Sequence, residues 1–297
     1  MKKILLRTIL LLTCVTAILC KNKELSEQTS EPLVEDLFIF KNNEGGVVAQ
    51  KEISFDNPYR FKVKTKIFSH NGCKRDDPGC TYFLIRYPVL SARNNDAKTQ
   101  KMADQLNSFI QNSGGLQTQM FPFEEQASTF IADWQAHYQS QEDMKLPWFR
   151  ELEISILGIS KDHISLMESQ FQFHGGAHPN TEIKMNSFNT VSGEQIFLKD
   201  LFKAKDMQRI ARLCEESFRK NRGLPAGHSL SSMGFDFPGG KFYIPENFAI
   251  TEFGLLLFFN QYEIAAYAAG WTSFLVPYSK LKPYLKPEIK VFASIMK

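Results

Sequence analysis

The sequence predicts an α+β fold with largely antiparallel sheets and about three amphipathic helices, arranged as two consecutive subdomains. Strand-like runs follow one another along much of the chain, and the few helix-like segments are grouped apart from them. Segregated strands and helices favour this architecture over a doubly wound parallel sheet, in which the two would alternate. With 43% hydrophobic residues and 26 phenylalanines, the chain can also bury a sizeable core.

Three segments carry apolar residues at helical spacing. The first spans 98–111 and stops before the glycine pair at 114–115, and the second spans 122–139 with its proline at the start. The third spans 207–220 and places Cys214 on its apolar face. We therefore expect three helices and a buried, inert thiol at Cys214.

Strand-like runs occupy much of the remaining chain. A short polar connection at 160–162 predicts a hairpin, and Gly254 predicts a second tight turn. A further turn at 190–194 separates the predicted subdomains, which span 51–192 and 193–287. The predicted strands are 60–69, 80–89, 149–158, 163–173, 181–189, 248–251, 254–259 and 271–277.

The first twenty residues have the pattern of a secretion signal. Three basic residues precede an apolar run at 9–19, which is shorter than the roughly 20 apolar residues of a membrane span. Cys20 closes this run where a bacterial lipoprotein carries its acylated cysteine, although Leu19 before it is larger than usual. We therefore predict an exported envelope protein that is lipid-anchored at Cys20, and periplasmic or on the surface. Ordinary cleavage and an uncleaved anchor helix are the alternatives.

The chain after the signal carries no net charge. Residues 21–50 are predicted as a polar tether and lead-in, and 288–297 as a tail. The whole chain has 35 Lys+Arg against 32 Asp+Glu, and the three basic residues of the signal account for the difference. A chain without net positive charge has no overall electrostatic field that attracts nucleic acid or an anionic membrane surface. We expect no nucleic-acid partner, no cofactor, and membrane contact only through the lipid.

Cys73 and Cys80 bracket a turn-rich insert at 74–79 between two predicted strands. In an oxidising compartment a disulfide across this loop is expected, and it contributes about 2.5 kcal/mol by chain-entropy arithmetic. A metal site that uses both cysteines and His70 is the alternative. Its ligand spacing is irregular and a fourth ligand is not evident, so we predict no metal.

The segment FQFHGGAHPN at 171–180 is the densest candidate for chemistry. His174 and His178 are four residues apart, which on a helix would place them on one face as a metal-ligand or acid–base pair. The glycines between them and the proline after them predict a loop instead. A ligand contact, a catalytic or metal role and a tight structural turn all remain open for this loop.

The segment FFNQYEIAAYAAGW at 258–271 contains one charged residue, Glu263. A carboxylate in apolar surroundings can have a raised pKa and act as an acid or base. The alternative is that Glu263 caps a turn or accepts hydrogen bonds from loop amides. The sequence contains no GxSxG, P-loop, GxGxxG or CxxC motif, which disfavours an enzyme without excluding one.

These two segments carry a family resemblance. The stretches GGAHPNTEIKMNSFNTVSGEQIFLKDLF at 175–202 and YEIAAYAAGWTSFLVPYSKL at 262–281 resemble an envelope family of domains of unknown function. It is shared by the extracellular domain of the anti-sigma factor RsiV and the N-terminal, non-catalytic region of the peptidoglycan deacetylase PdaC. The resemblance covers roughly 55–287. It implies an envelope location and a recognition role, since RsiV-like domains bind lysozyme and the family accompanies peptidoglycan. Sigma-factor inhibition and deacetylation are not implied.

Two hypotheses from different classes follow. The first is an envelope lipoprotein that binds lysozyme or a peptidoglycan fragment. The second is a cell-wall hydrolase or other envelope enzyme that uses Glu263 with His174 or His178. The residues expected to contact a ligand are His174, Gly175, Gly176, His178, Asn180, Tyr262, Glu263 and Tyr267.

The predicted anchor can be tested by mass spectrometry of the membrane-extracted protein. We expect a chain that begins at Cys20 and carries the added mass of acyl groups on that residue. An intact Met1 would instead show that the signal is not cleaved, and a cleaved chain without added mass would show ordinary secretion.

Overall fold

The computed structural model of the protein describes residues 39–41, 47–49, 58–94, 96–112, 121–140, 146–160 and 162–286. The predicted signal with Cys20 and the predicted tail lie outside the described residues. The strands β1 (Ile39–Lys41) and β2 (Val47–Ala49) form an antiparallel pair within the predicted tether and lead-in. Among the described residues, no helix combines the length and the apolar character that a membrane crossing requires.

Six strands form the large sheet, in the order in which they follow along the chain. They are β3 (Tyr59–Ser69), β4 (Tyr82–Ala92), β5 (Phe149–Ile159), β6 (His163–Phe173), β7 (Asn180–Asn189) and β8 (Gln195–Ile196). The helices α1 (Ala97–Gln111) and α2 (Phe123–Ser140) connect β4 to β5. That connection makes β4 and β5 a parallel pair, whereas all other neighbours are antiparallel. The strands β5 and β6, on either side of the predicted hairpin connection, are antiparallel neighbours.

Both connecting helices cover one face of the large sheet. The N-terminal end of α1 is capped by Asp96, whose side chain accepts a hydrogen bond from Thr99 N at 2.8 Å. The buried residues of α1 and α2 are those that recur at helical spacing, as the sequence predicted. The resulting core includes Tyr59, Phe83, Ile85, Leu106, Ile110, Phe123, Phe130, Leu152 and Ile164.

The C-terminal half builds a second core from a helix and a small sheet. Its helices are α3 (Leu198–Leu201), α4 (Met207–Asn221) and α5 (Tyr278–Leu281). Its strands are β9 (Phe248–Ile250), β10 (Gly254–Phe259) and β11 (Thr272–Pro277), with β10 in the middle. The helix α4 packs Ile210, Cys214 and Phe218 into this core. The predicted α+β class and the three long helices are therefore confirmed.

Three cysteines lie within the described residues, two in a disulfide and one as a buried thiol. Cys73 and Cys80 form a disulfide with their Cα atoms 5.7 Å apart, as predicted. The alternative metal site with His70 is wrong, because the two sulfurs are bonded to each other. Cys214 is 1% exposed, and burial raises the pKa of its thiol to about 12. It is therefore a packed, unreactive thiol.

The small sheet packs against the face of the large sheet that the helices leave uncovered, with β9 lying on β5, β6 and β7. We call this contact the seam. The amide of Ile250 points at two buried hydroxyls, Ser165 Oγ at 3.1 Å and Ser187 Oγ at 3.2 Å. The apolar side chains of the seam are Leu157, Met167, Ile183, Met185, Ala249, Leu256 and Phe258.

Two asparagines extend the seam to the edge of β7, where β8 does not pair with it. The Asn260 side chain accepts from Ile183 N at 2.8 Å and donates to Ile183 O at 2.9 Å. The Asn247 side chain accepts from Met185 N and donates to Ile183 O, both at 2.7 Å. Side-chain amides thus satisfy strand-edge groups that would otherwise lack partners.

Gly158 is the point of closest approach between the two backbones at the seam. A Cβ atom there would lie 2.5 Å from Ile250 O, which is too close for any relaxation short of moving β9. We expect Gly158→Ala to lower the free energy of unfolding by about 1–3 kcal/mol, as overpacking does. Urea unfolding measures this. Ser91→Ala, at an exposed position of β4, is the control and should change stability little. An unchanged urea midpoint for Gly158→Ala would contradict the close approach of the two backbones at the seam.

His163 makes the seam sensitive to pH. Its ring is 1% exposed, Nδ1 lies 2.8 Å from Ser160 Oγ, and burial lowers its pKa to about 4 from an ordinary 6.5. The folded state therefore disfavours protonation of His163. The contribution of the neutral ring to the free energy of unfolding is fully present above pH 6.5. It is lost as the pH falls towards 4, by about 3 kcal/mol in all.

We expect His163→Gln to flatten this dependence. The measurement is the free energy of unfolding at several pH values between 4 and 7. His228→Gln, at an exposed histidine, is the control and should keep the wild-type profile. If the free energy of unfolding depends on pH equally in wild type and His163→Gln, a group other than His163 controls that dependence.

Candidate ligand-binding site

The loop between β6 and β7 has a backbone that requires its two glycines. Gly175 and Gly176 have φ angles of 80° and 104°, which other residues adopt only with strain. Gly175 lies under the Trp148 ring, Gly176 faces open space, and Asn180 opens β7 opposite Gln172. The predicted binding residues of this segment therefore form one exposed turn.

The two histidines of this turn have different neighbours. His174 stacks on Trp148 with ring centroids 5.0 Å apart, and burial, helped by the charge of Arg150, lowers its pKa. His178 instead stacks on Tyr267 of the second predicted segment, at 4.2 Å and an interplanar angle of 28°. The two histidines therefore have separate surroundings, and His178 is the one that stacks on a ring of the second predicted segment.

His178, Tyr267 and Tyr262 form a row of rings that we call the aromatic platform. Tyr262 and Tyr267 lie 5.4 Å apart, and the Tyr267 hydroxyl donates to Pro179 O at 3.4 Å. Tyr262 has a φ of 65° and its side chain is 63% exposed. A bulky residue in the left-handed region costs of order 1–3 kcal/mol, and such strain concentrates at functional sites.

Glu263 serves as the cap of the turn that carries Tyr262. Its Oε2 accepts a hydrogen bond from Asn260 N at 2.8 Å, and its Oε1 accepts one from the Tyr243 hydroxyl at 3.1 Å. Burial, followed by the charge of Glu263, raises the pKa of Tyr243 to about 12. Both carboxylate oxygens are thus engaged in holding the turn, which is the structural alternative that the sequence left open.

The geometry offers little to acid–base or metal chemistry. Within the part of the chain that the structure describes, Glu263 forms no hydrogen bond or ion pair with His174 or His178. In that same part, no group of three or more His, Cys, Asp or Glu side chains is placed to hold a metal ion. Among the described residues, Glu263 is therefore engaged with Asn260 and Tyr243.

A cleft of about 920 Å³ opens beside the platform, between the end of α4, the chain at 224–235 and the chain at 267–273. This volume lies within the range of about 300–1,000 Å³ that ligand pockets occupy. Tyr267 belongs to both the cleft and the platform. The other lining residues are Asn221, Arg222, Leu224, Met233, Gly234, Phe235, Gln261, Ala268, Ala269, Gly270, Trp271, Thr272 and Ser273.

Sequence reasoning found one wall of this cleft and missed the other. It selected Tyr262 and Tyr267 from their segment but named no residue between 221 and 235. Five glycines between 223 and 240 were the available signal, because they indicate irregular backbone rather than a helix or strand.

Two family models match separate parts of the chain. Residues 75–181 match the family model described as deacetylase PdaC, and residues 199–279 match a model described as a protein of unknown function, DUF3298. These two matches support a PdaC/DUF3298-like family for the chain. The platform draws His178 from the first matched region and its two tyrosines from the second.

A curated relative of this PdaC/DUF3298-like chain is the peptidoglycan-N-acetylmuramic acid deacetylase PdaC of Bacillus subtilis strain 168. The two are 25% identical over 210 residues, which are 69% of this chain and 39% of the relative. The chain therefore spans well under half of that protein's length. The likeness to RsiV is not tested by these matches and stays a prediction.

Two solved structures share the fold of this PdaC/DUF3298-like chain. A DUF3298 family member from Bacteroides fragilis NCTC 9343 aligns with a TM-score of 0.59 and 14% identity, covering 81% of this chain and 98% of that one. A DUF3298 protein from Pseudomonas aeruginosa PAO1 aligns with a TM-score of 0.53 and 15% identity, covering 79% and 97%. At these identities the likeness concerns the fold alone.

Proposed function

We propose that this chain is an exported, lipid-anchored protein of the cell envelope that binds a peptidoglycan-related glycan. The aromatic platform is the observation that carries the proposal. The C–H faces of a sugar ring are apolar and flat enough to stack on exposed aromatic rings, while its hydroxyls reach polar groups nearby. Tyr262 is held in a strained conformation with its ring exposed to solvent, which favours a role in binding over one in folding.

Several further observations support the envelope and the ligand class. The disulfide between Cys73 and Cys80 is typical of a protein that works outside a reducing cytosol. The predicted signal and Cys20 agree with export and anchoring. The B. subtilis relative is named for its action on N-acetylmuramic acid of peptidoglycan, which makes cell-wall glycan the first ligand to test.

Lysozyme is the other ligand that the resemblance to RsiV implies. A bound protein would have to cover surface well beyond the three rings of the platform, since stable protein interfaces bury about 800 Å² on each partner. The glycan is therefore our proposal, and retention of lysozyme is an outcome that the same experiment distinguishes.

Tyr262→Gly separates binding from stability. Glycine relieves the strain at a φ of 65°, so we expect unchanged or slightly higher stability. We expect weaker binding of muropeptides, by about 2- to 12-fold, because one aromatic contact contributes about 0.5–1.5 kcal/mol. Tyr267→Ala should weaken binding at least as much. Calorimetric titration of the full chain in detergent measures the affinity, and urea unfolding measures the stability.

Phe253→Ala is the matched control, because Phe253 is a 48% exposed aromatic in the turn between β9 and β10. It should bind like wild type. Wild-type protein that binds no muropeptide would overturn the proposal, and retention of lysozyme in a pull-down without glycan binding would replace it with the protein-ligand alternative.

A further inference from the structure

We propose that Arg222 binds a carboxylate inside the cleft, so that the ligand is an acidic glycopeptide and not a neutral glycan. This inference rests on the proposed function, because it names the chemistry of the ligand that lies on the aromatic platform. Arg222 was not among the residues that the sequence selected.

The guanidinium of Arg222 is held in place by two contacts that leave its charge unbalanced. It lies 5.3 Å from the centre of the buried Phe235 ring, and its Nη2 donates to Ala269 O at 3.4 Å. A guanidinium has five N–H donors, so most of them are unused by this one long hydrogen bond. Among the ion pairs of the described residues, none involves Arg222.

The remainder of the cleft is neutral. Its other lining residues carry amides, hydroxyls, aromatic rings and apolar side chains or are glycines, and no aspartate or glutamate is present among them. A half-buried cation without a carboxylate partner is costly unless a ligand supplies the opposite charge. The planar fork of an arginine side chain matches a carboxylate in two parallel hydrogen bonds.

The cleft also places Arg222 close to the platform. Ala269, which accepts the hydrogen bond from Arg222, ends the short 3-10 turn that Tyr267 begins. The residues next to it, Ala268 and Gly270, have little or no side chain, so a ligand can lie close to the backbone here. Gly270 has φ 69° and ψ −170°, a conformation that is essentially restricted to glycine.

A ligand that contacts both Arg222 in the cleft and the aromatic platform must therefore carry a carboxylate a short distance from a sugar ring. Peptidoglycan fragments have this chemistry, because their acetylated sugars carry peptide stems with free carboxylates. Neutral oligomers of N-acetylglucosamine have the ring and lack the charge. The two kinds of compound separate a contact with Arg222 from stacking on the platform.

The test compares two ligands on the unaltered full chain in detergent, by calorimetric titration. The ligands are muramyl dipeptide, which has one free carboxylate, and the same compound with that carboxylate amidated. We expect the amidated form to bind about 10- to 100-fold more weakly, the usual effect of losing a charge-assisted hydrogen-bond pair. This comparison requires no mutation, so it does not depend on how well a variant folds.

Variants then assign the effect to Arg222. Arg222→Gln should remove the preference for the acidic ligand, and Arg222→Lys should retain part of it because the charge remains. Arg212→Gln, at an exposed arginine of α4, is the matched control and should bind like wild type.

Four results would overturn the inference, and they show whether the proposed function falls with it. Equal binding of acidic and amidated ligands, or an unchanged preference in Arg222→Gln, overturns the carboxylate contact and leaves the proposed function intact. The carboxylate contact is likewise overturned, and the proposed function kept, if neutral N-acetylglucosamine oligomers bind as tightly as muramyl dipeptide. Failure of every glycan ligand to bind overturns both the inference and the proposed function.

Discussion

The close approach of β9 to the large sheet is the constraint on which the rest of the molecule depends. Two backbones meet at Gly158 with no room for a side chain, and the backbone N–H of Ile250 donates to the hydroxyls of Ser165 and Ser187. Asn260 links the large sheet to the turn after β10. Its side chain accepts a hydrogen bond from the backbone of β7, and its backbone amide donates to Glu263. The turn that presents Tyr262 is therefore positioned by the large sheet as well as by its own strand.

Aromatic packing stabilises the C-terminal half beneath the cleft. Phe218 of α4 meets Phe235, Phe237 and Phe274 in edge-on contacts with ring centroids 5.1–5.8 Å apart, a geometry that the ring quadrupole favours. Phe235 belongs to this cluster and also lies under Arg222. The Phe235 ring thus belongs both to the core and to the lining of the cleft.

Features that depend on local chemistry could be predicted from the sequence. The period of apolar residues marked α1, α2 and α4, the polar connection at 160–162 marked a hairpin, and the short loop between Cys73 and Cys80 marked a disulfide. The resemblance gave the family, and the unusual composition of two segments pointed to the turn that contains His178 and to Tyr262 with Tyr267.

Features that depend on distant residues could not be predicted. Gly158 and Ile250 are far apart in the sequence, and nothing in either neighbourhood indicates that they meet. Asn247 and Asn260 look like ordinary loop residues, although they satisfy a strand edge. Arg222 was overlooked because a basic residue at the end of a helix is usually a solvated one that complements the helix dipole.

The composite origin of the aromatic platform has an evolutionary consequence. Each half of the chain has its own core, yet the row of rings exists only where the turn after β6 touches the turn after β10. An exchange of either half for a foreign domain could preserve both cores and still erase the recognition surface. Natural selection for ligand binding would then act on the two halves as one heritable unit, and they would be kept together in tandem.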